Sequence, residues 1–484
     1  MRSSPVAAFL PLIAALSLTA CADEAPVYLD CESAPKTGDG VSYDPDEIGC
    51  VDITMDPEDY ASLANQYRFD GGEDDQWPGI IAATASSCSD PYPDGYSYFS
   101  ADVELDGWEA ADVGVRKKGF IGSVVGASAR PSLKVKTDEF VDDQQMGDTE
   151  RVTLNNNHQD WTRTRTCLVY SVFTDAGYPA PRCNLANVSV NGEPLGAYAH
   201  VENVKKRFLR REFGNDDGSL YEGTMADFTD AHLAGLPNNL GRFEAKTSDT
   251  DPSGAGLRRV ADALQASDAE LEKALSEVID LDAFFLFWAL ETVLNHNDGY
   301  AANTNNFYIY FDPDRGDRGV FIPWGADQAL YDWDQEKVIS EMTRRLSRVP
   351  KLRERYLGEV LWVSDAVWDE DVLIERIDAF EAQVATTEEA TPEQEAAFED
   401  LRDWVSKRRG TIEDFVLDGG EIGEAQTGSC TGSNDPQDFL LAAELATVVS
   451  STCSTVPGRS SGMMLVALLL LVARRRGTGT AGEE

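Results

Sequence analysis

The segment LEKALSEVIDLDAFFLFWALETVL, residues 271–294, constrains the fold of this chain more than any other. It reads as one long helix that is apolar on every side. Such a helix has no solvent face and has to lie inside a large core. NHNDGYAANTNNFYIY, residues 295–310, follows directly. From its end onward Phe307, Ile309 and Phe311 alternate with Asn306, Tyr308 and Tyr310, which predicts a strand. A polar segment with five Asn, one Asp and one of only four His is therefore pinned between two core elements. Rigid scaffolds present functional loops in this way. An ordinary polar turn is the alternative.

The rest of the chain supplies strands first and helices later. Strands are expected at 49–56, within Tyr96–Lys136 and at Val152–Leu154, from period-two alternation. A hairpin is expected around Asn191-Gly192, a step that favours a tight turn, and another at 306–323. Helices are expected over 57–66, over 160–176 with Asp160 as N-cap, over the basic stretch 205–213, and through most of 332–417. Residues 67–95, rich in Asp, Gly and Ser, read as loop. This order predicts an α+β domain over 49–418, with linkers at 21–48 and 419–455.

Among 484 residues there are 85 acidic and 41 basic ones, a net charge of -44. That balance argues against nucleic acid, which is gripped by clustered Lys and Arg. It suits a solvated acidic surface or divalent cations. Residues 1–20 carry a short basic start and an apolar run too short to span a bilayer, the pattern of a signal peptide. Leu18-Thr19-Ala20-Cys21 resembles a lipobox, which implies lipid on Cys21. Residues 456–484 combine GMMLVALLLLVA with Arg474-Arg475-Arg476 and resemble the C-terminal surface-sorting tail of myxobacterial proteins. The expected location is outside the cytoplasm, as an outer-membrane or cell-surface lipoprotein. Setting aside Cys21 and Cys453 leaves an even set of cysteines, which suggests disulfides of open connectivity.

The chemistry centres on the polar loop. Asp298 and Asn303 form D-x-x-x-x-N, and Asp327 follows the apolar strand FIPWGAD. Phosphoryl transfer needs a carboxylate to accept a hydroxyl proton and oxygen ligands for Mg²⁺. GVRKKGF (114–120), PSLKVK (131–136), SVNGEPLGAYAHVENV (189–204), NDGYAANTNNFYIY (297–310) and FIPWGADQ (321–328) together resemble the CotH family. That resemblance implies an atypical protein-kinase-like fold, with a β-rich N-terminal lobe and a mostly helical C-terminal lobe. It implies ATP and Mg²⁺ or Mn²⁺ as cofactors.

Residue by residue, the resemblance makes Asp298 the catalytic Asp. Gly114, Arg116, Lys118 and Gly119 match the family's turn over the nucleotide. Lys134 matches its phosphate lysine, with Lys136 as the alternative, and Glu202 matches that lysine's partner. Asn303 and Asn306 sit where the family has metal-side amides. Asp327 matches the second acid of a Trp-Asp-x-Asp signature whose first acid is here Gly325. With Asp327 as the metal ligand, the implied activity is phosphotransfer to Ser, Thr or Tyr of a surface or coat protein. The rival expectations are a catalytically inert structural or adhesive lipoprotein and a Ca²⁺-binding surface protein. His296 is expected to pack the helix end.

Overall fold

Alternating apolar residues give each N-terminal strand one inward face, and seven such strands close into a barrel. The computed structural model describes residue 31 and residues 40–332 and 340–420. The signal segment, Cys21, the linker after residue 420 and the C-terminal tail lie outside the described residues. The barrel strands are β1 (Gly49–Met55), β2 (Phe99–Leu105), β3 (Trp108–Lys117), β4 (Leu133–Lys136), β5 (Arg151–Asn155), β6 (Cys183–Val190) and β7 (Glu193–Val201). Their order is β1-β2-β3-β4-β5-β7-β6, and a parallel pairing of β1 with β6 closes it. Val51, Ile53, Val103, Val115, Val135 and Val188 are among the residues that fill the interior.

A second sheet has the order β11-β10-β8-β9. It is built from β8 (Ser219–Gly223), β9 (Phe243–Ala245), β10 (Phe307–Asp312) and β11 (Arg318–Pro323). The helices are α1 (Pro57–Ala64), α2 (Gln76–Ser86), α3 (Ile121–Val124), α4 (Arg165–Asp175), α5 (Lys206–Phe213), α6 (Ala255–Leu264), α7 (Leu271–Ser276), α8 (Leu281–Val293) and α9 (Tyr300–Asn303). After residue 340 come α10 (Glu341–Ser347), α11 (Pro350–Trp362), α12 (Glu370–Val384) and α13 (Pro392–Leu417). Among the described residues no helix is long and apolar enough to cross a membrane.

The apolar segment behaves as expected at its C-terminal half and not at its N-terminal half. Phe284, Phe285, Phe287 and Trp288 of α8 are all buried in one cluster with Phe321 of β11. The predicted continuous helix is broken before α8. Ile279 bridges to Gly319 and the Asp280 N–H donates to the Gly319 carbonyl at 3.0 Å, so a strand edge captures the backbone. Asp280 then caps α8, accepting from the Ala283 N–H.

One other boundary differs, and further elements were not expected. The helix expected from Asp160 starts at Arg165, because the Asp160 carboxylate folds the preceding turn by accepting from the N–H groups of Thr162 and Arg165, both at 2.9 Å. The expected loop 67–95 contains α2. α6, β8 and β9 lie in stretches whose sequence pattern predicts no element. The hairpins at 183–201 and 307–323 form as expected. Cys31–Cys50 and Cys167–Cys183 are disulfides, and Cys88 is disulfide-bonded as well.

The Trp288 indole stacks on Tyr356 with ring centroids 3.7 Å apart, which seats α11 on α8. Trp288→Ala should cost about 3–5 kcal/mol of unfolding free energy by cavity formation, read as a lower urea midpoint.

Candidate active site

A desolvated carboxylate is stable only where donors meet it. Asp298 is met by three. Its Oδ1 accepts from Asn303 Nδ2 at 2.5 Å and from Asn305 Nδ2 at 3.2 Å. Its Oδ2 accepts from Asn306 Nδ2 at 2.7 Å. Burial raises the Asp298 carboxyl above its ordinary value, and the three amides oppose that rise. With their nitrogens committed to Asp298, Asn303 and Asn306 have only their carbonyl oxygens to offer a cation.

The loop that carries Asp298 is fixed from below. The buried Glu291 of α8 accepts from the N–H of Tyr300 at 2.9 Å and of Ala301 at 2.8 Å. Burial lifts this carboxyl to about 8 even against those two bonds. Gly299 is required there, since a Cβ on it would lie 2.2 Å from Glu291 Oε1. His296 donates from Nε2 to the Trp324 carbonyl at 3.1 Å, and burial holds it down at about 4. It is a neutral brace between two loops, consistent with packing of the helix end.

That brace brings the loop after β11 alongside. Trp324 N–H donates to the Asn306 carbonyl at 3.1 Å. Asp327 follows on a short 3-10 turn, Ala326–Gln328. Burial, then the neighbouring Asp298 charge, raises its carboxyl to about 7. Among the described residues no side chain donates to it. Two adjacent carboxylates, one without a side-chain donor, have the chemistry of a divalent-cation site completed by phosphate oxygens. No group of three or more metal-ligating side chains occurs among the described residues, so protein atoms alone do not form a cage.

Gly325, where the family signature has its first acid, is explained by the same contacts. Its φ is +49°, and a Cβ would lie 2.3 Å from Asn306 Oδ1. The Asn306 side chain occupies the space that a side chain at 325 would need.

The cationic half of the site comes from the barrel and the second sheet. Lys134 of β4 lies across from Arg116 of β3 in the strand register. Burial drives the Lys134 ammonium well below its usual range, and Lys246 adds repulsion. The acid that attracts Lys134 is Glu222 of β8. Glu222 also pairs with Lys246 at 2.5 Å. Burial favours its neutral form, but Lys246, Lys134 and Lys118 together hold it down at about 2.

The expected partner of Lys134, Glu202, is engaged elsewhere. Its carboxylate binds Arg182 at 2.8 Å and Arg211 at 2.5 Å. Lys136, the alternative lysine, is paired with Glu139 at 2.6 Å. Lys118 is the lysine whose charge reaches Asp327, and it also donates to Asn155 Oδ1. Burial lowers Lys118 to about 8. Arg116 pairs with Asp94 at 3.4 Å. Gly119, with φ +119°, has no room for a Cβ, which would fall 2.2 Å from Ser123 Oγ.

Glu222, Lys246 and Asn155 therefore join the site, and sequence reading missed them. Glu222 and Tyr308 are register partners across β8 and β10, a pairing between segments far apart in the chain. Nothing local marks it.

A family model described as CotH kinase protein matches residues 119–417. No curated protein matches the chain. Among solved structures, one similar chain belongs to the Shewanella oneidensis MR-1 toxin–antitoxin complex of HipA, HipB and operator DNA. It is 11% identical, with a TM-score of 0.31, over 57% of this chain and 61% of that one. The Helicobacter pylori proinflammatory kinase CtkA is 9% identical, with a TM-score of 0.31, over 60% of this chain and 95% of its own.

Two outcomes are expected here. The native Asp327 carboxyl, at about 7, holds a proton that the unfolded chain gives up nearer 3.8. Its contribution is thus present at acid pH and is lost as pH rises through about 7. Metal-free Asp327→Asn should melt with wild type near pH 4 and above wild type near pH 8 by calorimetry. Gly325→Asp, which restores the signature, should lower the melting temperature and leave any activity reduced.

Proposed function

The chain belongs to the CotH kinase protein family, and on that premise we propose an extracytoplasmic phosphotransferase that uses ATP and Mg²⁺ or Mn²⁺. The acceptor is a Ser, Thr or Tyr hydroxyl of a protein at the cell surface. Lipid on Cys21 would hold the enzyme at the membrane. The observation that carries this reading is the meeting of Asp327, which no described side chain donates to, an amide-held Asp298 and a lysine–glutamate cluster in one place.

Asp298 orients the acceptor hydroxyl and takes its proton. The hydroxyl oxygen bonds to the γ-phosphorus as the bond from that phosphorus to the β–γ bridging oxygen breaks, and ADP leaves. Lys134 and Lys118 neutralise phosphate charge, with Glu222 orienting the ammonium groups. Asp327, aided by the carbonyl oxygens of Asn303 or Asn306, would hold the cation. The cation supplies charge neutralisation across the phosphates. Asp298, Asp327, Lys118 and Lys134 are all half-buried, which weakens solvent screening of these interactions.

The second reading, an inert kinase-like adhesive or Ca²⁺-binding lipoprotein, is favoured by Gly325 and by the net charge of -44. Labelled ATP separates the two. Wild type with Mg²⁺ or Mn²⁺ should transfer label to itself or to a generic acceptor, and Asp298→Ala should transfer about 10²–10⁴-fold less. Equal labelling by both proteins removes the catalytic assignment. Absence of nucleotide binding at millimolar ATP with metal favours the inert reading.

A further inference from the structure

Residues 66–96 precede the region that the family model matches, which begins at Gly119. They nevertheless hold that region on two sides. The segment closes at its base, where the Ser97 N–H donates to Gln66 Oε1 at 2.9 Å and Gly95 lies against the Tyr67 carbonyl. From there it reaches the glycine turn. Arg68 donates from Nε to the Gly119 carbonyl at 3.1 Å and from Nη1 to the Pro93 carbonyl at 3.0 Å. The buried Tyr96 donates from Oη to the same Gly119 carbonyl at 3.2 Å. The Arg68 guanidinium lies over the rings of Tyr96 and Phe120, 5.4 and 5.3 Å from their centroids. At the far end of the turn, Gly126 N–H donates to Glu73 Oε1 at 2.5 Å.

The same segment reaches the other side of the site. Arg242 donates from Nη2 to the Ser87 carbonyl at 2.8 Å and lies over the Tyr92 ring at 4.7 Å. Tyr92 Oη donates to Met225 Sδ at 3.4 Å. Met225 N–H donates to Asn305 Oδ1 at 3.1 Å, and Asn305 is one of the three amides on Asp298. A continuous set of contacts thus runs from Gly119 through residues 66–96 to Asp298.

We propose that residues 66–96 form a strap that fixes the spacing between the glycine turn and the Asp298 loop, with Arg68 as its principal positioning residue. A planar guanidinium that donates in two directions while stacked on aromatic rings is a rigid connector, and a lysine cannot replace it. A carbonyl held by two donors resists rotation of its peptide plane, which favours the turn conformation seen here, with φ +119° at Gly119. A site held in its competent conformation binds with its full intrinsic affinity. A site that spends a fraction of its time there loses affinity in proportion. The consequence for nucleotide binding rests on the phosphotransferase reading; the mechanical role of the strap does not.

Hydrogen exchange on the full chain tests the strap directly. In Arg68→Ala, and in the milder Tyr96→Phe, amides of residues 119–126 should exchange about tenfold faster, while those of α8 stay protected. Unchanged exchange at 119–126 in both folded variants overturns the proposal. Calorimetry with Mg²⁺ and a non-hydrolysable ATP analogue should show about tenfold weaker binding to Arg68→Ala, with Arg68→Lys failing to restore it. Nucleotide binding by wild type that Arg68→Ala leaves unaltered also overturns the proposed role. If wild type binds no nucleotide while exchange at 119–126 responds as expected, the phosphotransferase reading fails and the strap stands.

Discussion

The three carboxamides around Asp298 are the constraint on which the site depends. Asn303, Asn305 and Asn306 all turn their amide nitrogens inward to one carboxylate. To do so the loop takes positive φ at Asn295, Thr304 and Asn306, a backbone conformation that costs energy for residues with a Cβ. Asparagine tolerates it better than most residues, which gives one physical reason for the concentration of Asn here. The rest of the loop is tied down by Glu291 and His296, whose partners are backbone groups rather than solvent. The loop is over-determined, and so a half-buried acid is held in one orientation.

Around that loop the charges divide by sheet. The anionic part follows the two ends of the β10–β11 hairpin, with Asp298 just before β10 and Asp327 just after β11. The cationic part comes from neighbouring barrel strands, which place Lys134 on β4 and Lys118 just after β3. Glu222 and Lys246, at β8 and just past β9, join the two parts. A polyphosphate with its cation bridges such a division naturally, since it presents negative oxygens to the lysines and a positive ion to the acids.

The elements legible in the sequence were those whose cause is local. Period-two alternation located the barrel strands and the β10–β11 hairpin, and Asn191-Gly192 located the β6–β7 turn. The apolar run exposed the buried α8. The failures have non-local causes. Asp280 looks like one more polar residue in a helix, until Ile279 meets Gly319 from a later strand. Glu202 and Glu222 are both acids near strand ends, and only the pairing of β8 with β10 decides which one faces the lysines. Glu202 instead balances two arginines. Gly325 looked like a lost ligand in the sequence. In three dimensions it is the space that the Asn306 side chain needs. The site residues 298, 303, 306 and 327 were named from pattern and likeness, while their mutual geometry came only from the fold.

On the proposed reading, Asp327, Asp298 and the lysine cluster receive one metal–nucleotide complex. A crystal structure of the chain grown with Mn²⁺ and a non-hydrolysable ATP analogue tests it most directly, because anomalous scattering locates the ion independently of the nucleotide. The predicted result is Mn²⁺ on the Asp327 carboxylate, phosphate oxygens against Lys134 and Lys118, and Asp298 facing the terminal phosphate. Mn²⁺ and nucleotide bound elsewhere, with Asp327 free of metal, would contradict the account.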